Sequence, residues 1–298
     1  MAILIDKNTK VLIQGITGST GQVATELMLK YGTKVPAGVT PGKGGQQVHG
    51  VPVYNTVKEA REKHEINASF VVVPPLFARS AVLEALDAGI PLVLVFTENV
   101  PLHDAAAMIE KAREKNAVLI GPASTGMISP ELSMLGQVGG LPDMVSKIYK
   151  KGPIGIISKS GGMMNETAWV VRQAGLGQST VIGMVGEILV GSVYADFLRM
   201  FEKDQETKAV VVWGEVGGTY EEQVAEVLKN KEFTKPLAVF IGGKFVERMP
   251  QGVQFGHAGA IIERGRGKPS EKIELLRKAG ALIAEKHHEL GMIIRDAL

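Results

Sequence analysis

The stretch Lys10-Val-Leu-Ile-Gln-Gly-Ile-Thr-Gly-Ser-Thr-Gly21 decides the fold of the first half of the chain. Lys10–Gln14 is a short apolar strand, Gly15–Gly21 is a glycine-rich turn, and a helical pattern follows over Gln22–Tyr31. Small residues in such a turn let the backbone approach a phosphate, whose charge is favoured by the N-terminus of the helix. The stretch therefore predicts a strand–turn–helix unit that either binds a phosphorylated ligand or is only a tight turn.

Short apolar strands alternate with helical patterns along the rest of the chain, with one break. We predict strands over Lys10–Gln14, Lys34–Val39, Ala68–Val73, Leu92–Phe96, Val118–Ile120, Ile154–Ile157, Thr180–Met184, Ala209–Trp213 and Leu237–Ile241. Such strands are typical of a parallel sheet that helices cover on both faces. We therefore predict an α/β fold with a doubly wound domain over residues 1–125, an irregular glycine- and proline-rich connection over 126–152 and a flavodoxin-like domain over 153–298.

The composition is that of an ordinary globular protein, with 298 residues, 45% of them hydrophobic, and a net charge of +2. This balance of charge argues against nucleic acid or a membrane surface as the main partner. The chain has no cysteine, which excludes disulfides and thiolate zinc sites. Without a basic leader or an apolar run of about 18–20 residues, the sequence predicts a cytoplasmic protein that does not span a membrane.

The second strand ends in a turn that favours coenzyme A (CoA) over a nicotinamide cofactor. A nicotinamide site needs an acidic residue here for the ribose hydroxyls, but the strand ends at Thr40 and the turn is Pro41-Gly-Lys43-Gly-Gly45. A lysine in this turn suits a phosphate, and CoA carries a pyrophosphate and a 3′-phosphate. Two further strands end at Pro74-Pro75 and at Thr97-Glu98-Asn99. The carboxyl ends of parallel strands are expected to line the same crevice. We therefore predict CoA as the ligand and disfavour an NAD-dependent dehydrogenase.

One histidine stands among small residues, in Gly256-His257-Ala258-Gly259-Ala260. We expect the other five to be ordinary surface residues: His49, His64, His103, His287 and His288. An uncovered imidazole can act as a base, a metal ligand or a phosphoryl acceptor. The sequence has no second His or Cys at metal-ligand spacing from His257, so we predict no metal there.

Two strand–helix turns of the second domain offer what a phosphorylated histidine needs. Ser160-Gly161-Gly162 opens a helix, whose backbone N–H groups and positive end favour an anion. Glu215 follows the strand Ala209–Trp213 and can orient the imidazole, as carboxylates do for catalytic histidines. The alternative is that both turns are purely structural, and the residues alone leave the choice open.

Four motifs, in the same order, resemble the α subunit of succinyl-CoA synthetase (succinate–CoA ligase). They are Ile3-Leu-Ile-Asp-Lys-Asn-Thr-Lys10, Pro41-Gly-Lys-Gly-Gly45, Gly214-Glu-Val-Gly-Gly218 and Gly256-His-Ala-Gly-Ala260. The resemblance runs essentially the whole length. It implies a CoA-binding Rossmann-like domain, a flavodoxin-like ligase domain, and a β partner with an ATP-grasp fold that binds ATP or GTP with Mg²⁺.

The resemblance also implies a mechanism and a set of site residues. A nucleoside triphosphate phosphorylates His257, the phosphate passes to a small carboxylic acid such as succinate, and the CoA thiol displaces it from the acyl phosphate. Glu215 steadies the phosphohistidine, and the helix that begins at Ser160-Gly161 faces the phosphate. The family's CoA contacts match Thr17, Gly18, Ser19, Thr20, Lys43, Phe96, Thr97 and Glu98.

Four segments depart from the family's usual sequence and leave the acid open. They are Gly121-Pro-Ala-Ser-Thr-Gly126, Asn165 in place of a substrate-side Tyr, Val185-Gly-Glu-Ile188 and Val253-Gln-Phe-Gly256. Several of these changes resemble ATP-citrate lyase, although the chain lacks the length for that enzyme's citrate-synthase-like region. Citrate or another acid is therefore the alternative substrate, and a non-catalytic CoA-binding regulatory module is the alternative function.

Overall fold

The computed structural model describes residues 2–140, 142–184, 186–250, 256–257, 259–262 and 266–298. The first half of the chain forms β1 (Lys10–Gln14), α1 (Ser19–Tyr31), β2 (Lys34–Val39), β3 (Gln47–Val48), β4 (Val51–Tyr54), α2 (Val57–Lys63), β5 (Ala68–Val71), α3 (Pro75–Asp87), β6 (Leu92–Val95), α4 (Leu102–Glu114) and β7 (Val118–Ile120). Helix α1 ends at Gly32, whose φ of 93° gives the left-handed cap that glycine allows.

These strands form one sheet in the order β3-β4-β2-β1-β5-β6-β7. All neighbours are parallel except the short hairpin of β3 and β4. When β3 is left out and the remaining strands are numbered 1 to 6 along the chain, they lie in the order 3-2-1-4-5-6, which is that of a Rossmann fold. The predicted Rossmann-like domain is therefore confirmed. The strand order reverses between β1 and β5, so a ligand crevice is expected where these two strands end.

The second half of the chain forms a second α/β unit. Its elements are β8 (Gly126–Ser129), β9 (Ser133–Gly136), α5 (Pro142–Ile148), β10 (Lys151–Ser158), α6 (Gly161–Gln173), β11 (Gln178–Gly183), α7 (Tyr194–Lys203), β12 (Ala209–Gly214), α8 (Tyr220–Lys229), β13 (Leu237–Ile241), α9 (Pro269–Lys278), β14 (Leu282–Ile283) and α10 (Leu290–Asp296). The sheet order is β14-β13-β12-β10-β11-β8-β9. Strands β10 to β14 are parallel and follow the flavodoxin order 2-1-3-4-5, which confirms the predicted fold.

The prediction of an irregular connection over residues 126–152 is wrong. Strands β8 and β9 form a hairpin that extends the second sheet antiparallel to β11, and α5 follows. The glycines of this segment bound the strands rather than break them. Gly126 (φ 132°) and Gly136 (φ 104°) pair across the hairpin, where an added Cβ at Gly136 would lie 2.8 Å from the Cα of Gly126. The sequence pattern indicated a loop because glycines at strand ends look like glycines in turns.

This hairpin also joins the two units. The hydroxyl of Thr33, in the turn before β2, donates to the carbonyl of Met134 and accepts from its N–H, each at 2.9 Å. Ser124 donates its hydroxyl to the carbonyl of Gly183 at 2.6 Å. One buried apolar cluster contains side chains from both sheets, including Phe70 and Ile156. The two units therefore share part of their core.

Smaller differences from the predicted elements concern the chain ends and the edges. At the end of the chain, a 3-10 turn covers His287–Glu289 and α10 follows it directly. A further 3-10 turn covers Lys244–Arg248. The short strands β3, β4 and β14, which lie at or next to the sheet edges, were not predicted. Among the described residues, every helix is too short or too polar to cross a membrane.

Candidate active site

The glycines of the turn after β1 pack against the protein's own backbone, and the turn leads into an uncapped helix. Gly15 has a φ of 89°, and a Cβ there would lie 2.4 Å from the carbonyl oxygen of Val72, next to the end of β5. A Cβ on Gly21 would lie 2.3 Å from the oxygen of Gly15. The N-cap of α1 is Gly18, which has no side chain to cap the first turn, and that turn has no acidic residue. Its backbone N–H groups therefore suit an anion.

Lys43 lies in an exposed loop that a neighbouring asparagine holds. The side-chain oxygen of Asn55 accepts from the N–H groups of Gly42 at 2.9 Å and Gly44 at 3.0 Å. Thr40, at the base of the loop, lies with its hydroxyl 3.2 Å from that of Thr17. The loop and the turn after β1 are thus connected. Exposed donors beside an uncapped helix start fit the phosphates of CoA.

Three of the predicted CoA contacts follow strand β6, and their side chains differ in exposure. Thr97 is buried and donates its hydroxyl to the carbonyl of Val73 at 2.7 Å. Phe96 packs against Phe70, with ring centroids 5.8 Å apart. Glu98 is exposed, and its charge adds a small contribution to the raised pKa of His257, after the hydrogen bond to Glu215, which is the main cause. Glu98 therefore connects the first unit electrostatically to the histidine of the second.

His257 is held by Glu215. The Nδ1 atom of His257 lies 2.8 and 2.9 Å from the two carboxylate oxygens of Glu215, so Nδ1–H donates to the carboxylate and Nε2 is left with its lone pair. The Glu215 side chain is 9% exposed and that of His257 is 32% exposed. The hydrogen bond to Glu215 raises the pKa of His257, whereas burial and the charge of Lys159 lower it. The net direction is upward.

Glycines position the loop that carries His257. A Cβ on Gly186 would lie 2.5 Å from a carboxylate oxygen of Glu215 and 2.6 Å from the Cβ of His257, so only glycine fits between them. Gly259 donates its N–H to the carbonyl of Gly186 at 2.7 Å. Several residues of this region lie outside the described residues. They are Ala258 of the histidine motif, and Val185 and Val253–Phe255, which belong to the segments that differ from the family's usual sequence. The close approach at Gly186 and Gly259 therefore helps to bring the imidazole beside Glu215.

The start of α6 supplies backbone donors. Ser160 is the N-cap, and its hydroxyl accepts from the N–H of Met163 at 3.3 Å. A Cβ on Gly161 would lie 2.3 Å from the Cγ2 of Thr125, whereas one on Gly162 would meet nothing within 4 Å. The first turn has no acidic residue. The predicted phosphate-binding residues therefore offer N–H groups, while the Ser160 hydroxyl serves the helix cap.

Asn165 contacts the protein through both polar atoms of its side chain. Its Oδ1 accepts from the Tyr149 hydroxyl at 2.5 Å, and its Nδ2 donates to the carbonyl of Gly161 at 3.1 Å. Burial raises the pKa of Tyr149, which therefore stays a donor. In this conformation Asn165 supports the first turn of α6.

A buried cluster of charges lies beneath Glu215, and the sequence analysis did not single it out. Lys159 follows β10, Glu221 is in the first turn of α8, and Lys272 is in α9; each is 1% exposed. The Nζ of Lys272 lies 2.6 Å from Glu221 and 3.0 Å from the carbonyl oxygen of Glu215. The only sequence signal is a charged residue directly after a buried strand, which is common in strand–helix turns.

Two of the five histidines expected at the surface are half-buried. His64 shares a hydrogen bond with the Tyr54 hydroxyl at 2.8 Å, and His287 shares one with Thr167 at 3.0 Å. Burial lowers the pKa of His287. Both roles depend on residues distant in sequence, so the local pattern could not reveal them. Within the described ranges, no group of three or more His, Cys, Asp or Glu residues is arranged to hold a metal ion.

Comparison with known proteins supplies the family. A model described as the CoA binding domain matches residues 6–99, and one described as CoA-ligase matches residues 157–283. The ADP-forming succinate–CoA ligase alpha subunit 1 of Archaeoglobus fulgidus is 47% identical over 298 residues, covering 100% of this chain and 99% of that one. This chain belongs to the CoA ligase family. The CoA ligase is thus an enzyme of the acid–thiol ligase class, and CoA is its cofactor, as predicted.

Two further relatives of this CoA ligase differ in the acid that they are named for. An ADP-forming sulfoacetate-CoA ligase subunit from an Acholeplasma species is 45% identical over 296 residues, covering 99% of this chain and 98% of that one. The structure of ATP citrate lyase from Methanothrix soehngenii in complex with citrate and coenzyme A superposes with a TM-score of 0.91 at 27% identity. That match covers 99% of this chain and 50% of the lyase. Membership of the family therefore leaves the acid to be decided.

Proposed function

We propose that this chain is the α subunit of a succinate–CoA ligase that forms a nucleoside diphosphate, and that His257 carries the phosphoryl group. The observation that supports it is the bidentate contact of Nδ1 of His257 with Glu215, which leaves the Nε2 lone pair as the nucleophile. A regulatory CoA-binding module would not need this pair. The proposal also assigns CoA binding to the predicted residues of the first unit.

The reaction proceeds in three displacements. First, Nε2 of His257 attacks the terminal phosphorus of the nucleoside triphosphate, and the bond to the nucleoside diphosphate breaks. Next, a carboxylate oxygen of the acid attacks the same phosphorus, which returns the imidazole and gives an acyl phosphate. Finally, the CoA sulfur, having lost its proton, attacks the acyl carbon and phosphate leaves. The second displacement turns the carboxylate, a poor electrophile, into an acyl phosphate, from which phosphate can leave when the thiolate attacks.

The phosphoryl group is stabilised by the start of α6 and by Glu215. The N–H groups of Gly161 and Gly162, with the positive end of α6, neutralise part of the phosphate charge. Glu215 accepts from Nδ1–H and so stabilises the positive charge that develops on the imidazole when Nε2 attacks.

CoA binds in the crevice of the first unit through its phosphates. The turn Thr17–Thr20 lies at the uncapped start of α1 and receives the pyrophosphate. Lys43 reaches the 3′-phosphate from its exposed loop. Phe96 and Thr97 contact CoA through their backbone and the shape of their side chains, because the Thr97 hydroxyl already donates to the carbonyl of Val73.

The partner and the acid complete the assignment. Relatives named as alpha subunits support a β partner, to which we assign an ATP-grasp fold that binds ATP or GTP with Mg²⁺. We place the assembly in the cytoplasm. Succinate is the leading acid because alpha subunits of succinate–CoA ligases are 43–47% identical to this chain. Sulfoacetate is the second candidate, since the Acholeplasma subunit is 45% identical.

The experiment is a panel of acids. The chain is co-expressed with its β partner, and CoA- and ATP-dependent formation of acyl-CoA is measured with succinate, sulfoacetate, malate and citrate. The proposal expects succinyl-CoA as the favoured product. Preference for another acid would replace succinate but keep the ligase chemistry. Intact CoA binding with no product from any acid would favour the regulatory module.

A further inference from the structure

Lys159 occupies the point where the strand order of the second sheet reverses, between β10 and β12. Its backbone N–H donates to the carbonyl of Trp213 at 3.1 Å, and its side chain is 1% exposed. The Nζ atom lies 3.9 Å from a carboxylate oxygen of Glu215 and 3.8 Å from one of Glu221. It also donates to the carbonyl of Gly217 at 3.2 Å. The ammonium group is therefore fixed beside the carboxylate that holds His257.

The two buried lysines of this cluster have different partners. Lys272 lies 2.6 Å from the carboxylate of Glu221, and its contact with Glu215 is to the backbone carbonyl. Lys159 approaches the Glu215 carboxylate itself, through the same Oε1 atom that lies 2.8 Å from Nδ1 of His257. One carboxylate oxygen is thus shared between an imidazole and an ammonium group. The two lysines therefore contact different parts of Glu215: Lys159 lies near its carboxylate, and Lys272 donates to its backbone carbonyl.

Sharing the carboxylate has a chemical consequence. Only a neutral imidazole has a lone pair on Nε2 for attack on phosphorus, but a buried carboxylate alone favours the imidazolium ion. A cation near the same carboxylate oxygen opposes that tendency without removing the hydrogen bond that orients the ring. We propose that Lys159 is a positioning residue that shares the Glu215 carboxylate with His257 and so keeps Nε2 available as the nucleophile. This inference rests on the proposed function of His257.

The surrounding charges support this assignment. The hydrogen bond that His257 donates to Glu215 raises the pKa of His257, as does the charge of Glu98, whereas burial and the charge of Lys159 lower it. Lys159 also lies 5.8 Å from the ring centroid of Tyr220. Among the described residues, the other titratable groups that face this cluster are Glu221, Glu222, Lys272 and Tyr194. Of the cations in this set, Lys159 is the one in contact with the Glu215 carboxylate.

The test compares four variants of the full chain. Lys159→Met removes the charge, and Lys159→Gln removes it but keeps a donor for the Gly217 carbonyl, in case the first variant does not fold. Lys159→Arg restores a cation, and Lys272→Met is the matched loss of a buried cation that does not touch the Glu215 carboxylate. Nuclear magnetic resonance of labelled histidine follows the titration of His257, and thermal unfolding monitors folding. Phosphoryl uptake from γ-labelled ATP is measured against pH in the complex with the β partner.

We expect His257 to titrate at higher pH in Lys159→Met and Lys159→Gln and near the wild-type value in Lys159→Arg and Lys272→Met. Phosphoryl uptake by the charge-removing variants should fall about tenfold at pH 6 and recover as the pH rises. An unchanged titration in folded Lys159 variants, or an equal shift in Lys272→Met, would overturn the inference. Absence of phosphoryl uptake by the wild type would instead reject the proposed function, because the titration is measured independently.

Discussion

At the scale of single residues, the pair His257 and Glu215 could be predicted from sequence, and the charges beneath it could not. Small neighbours marked His257, and Glu215 follows a buried strand; the structure brings their side chains to 2.8 Å. Lys159 and Lys272 lie more than 100 residues apart in the chain, and the one local signal, a lysine directly after a buried strand, is also common in surface turns. Asn55, which holds the loop of Lys43, was missed for the same reason.

Replacing Glu215 with Gln should lower the pKa of His257, because the hydrogen bond that Nδ1–H donates to the Glu215 carboxylate is the largest cause that raises it. A raised pKa in the folded state stabilises the fold below the ordinary value of 6.5, and this stabilisation is lost as the pH rises through the folded pKa. The free energy of unfolding should therefore differ most between wild type and Glu215→Gln near pH 5–6, and less above neutrality.

Denaturant unfolding across this pH range, with a histidine titration, checks the prediction. Glu59→Gln serves as the control, because Glu59 is an exposed glutamate in α2, far from His257. A stability difference for Glu215→Gln that grows with rising pH would contradict the stated sign.

At the scale of elements, the start of α6 contains two adjacent glycines in different surroundings. A Cβ on Gly161 would lie 2.3 Å from Thr125, a stiff β-branched residue, so Gly161→Ala should lower the free energy of unfolding by about 1–3 kcal/mol. A Cβ on Gly162 meets nothing within 4 Å, so Gly162→Ala should be neutral or stabilise the helix by up to about 1 kcal/mol.

Thermal and denaturant unfolding of both variants measures the difference. Because the nearest atom is the Thr125 methyl group, Thr125→Ser should recover most of the stability lost in Gly161→Ala. Equal effects at the two glycines, or no rescue by Thr125→Ser, would mean that the described packing at this helix start is incorrect.

The elements themselves were largely predictable, with failures at the edges. Apolar runs such as Lys34–Val39 and Leu237–Ile241 match strands β2 and β13 because parallel strands buried on both faces leave an unmistakable pattern. The hairpin β8–β9 was missed because its strands are short and glycine-bounded. Its stability comes from pairing with β11, which local sequence does not record.

At the scale of the whole molecule, the two units share a core and hydrogen bonds across their boundary. The apolar cluster that contains Phe70 and Ile156 spans both sheets, and Thr33 bonds both backbone groups of Met134. We therefore expect a single cooperative thermal transition for the chain. Thr33→Val, which keeps the shape but removes both hydrogen bonds, should lower the free energy of unfolding by about 1–3 kcal/mol without splitting the transition.

Differential scanning calorimetry distinguishes one cooperative transition from two separate ones. Thr9 offers a control, since it is also buried but its hydroxyl accepts from the N–H of Asp6 within the first unit. Two separate transitions in the wild type would show that the units unfold independently. The sequence predicts the two folds but not the contacts between the two units, because the hairpin that makes these contacts has the pattern of an irregular connection.

The measurement that tests the central claim most directly is the position of the phosphoryl group on the protein. The chain in complex with its β partner is treated with γ-labelled ATP, and the phosphorylated residue and ring nitrogen are identified by mass spectrometry and phosphorus magnetic resonance. We predict phosphate on Nε2 of His257, because Nδ1 is bound to Glu215, and no label in His257→Asn. Phosphate on Nδ1, on another residue, or undiminished in His257→Asn would contradict it.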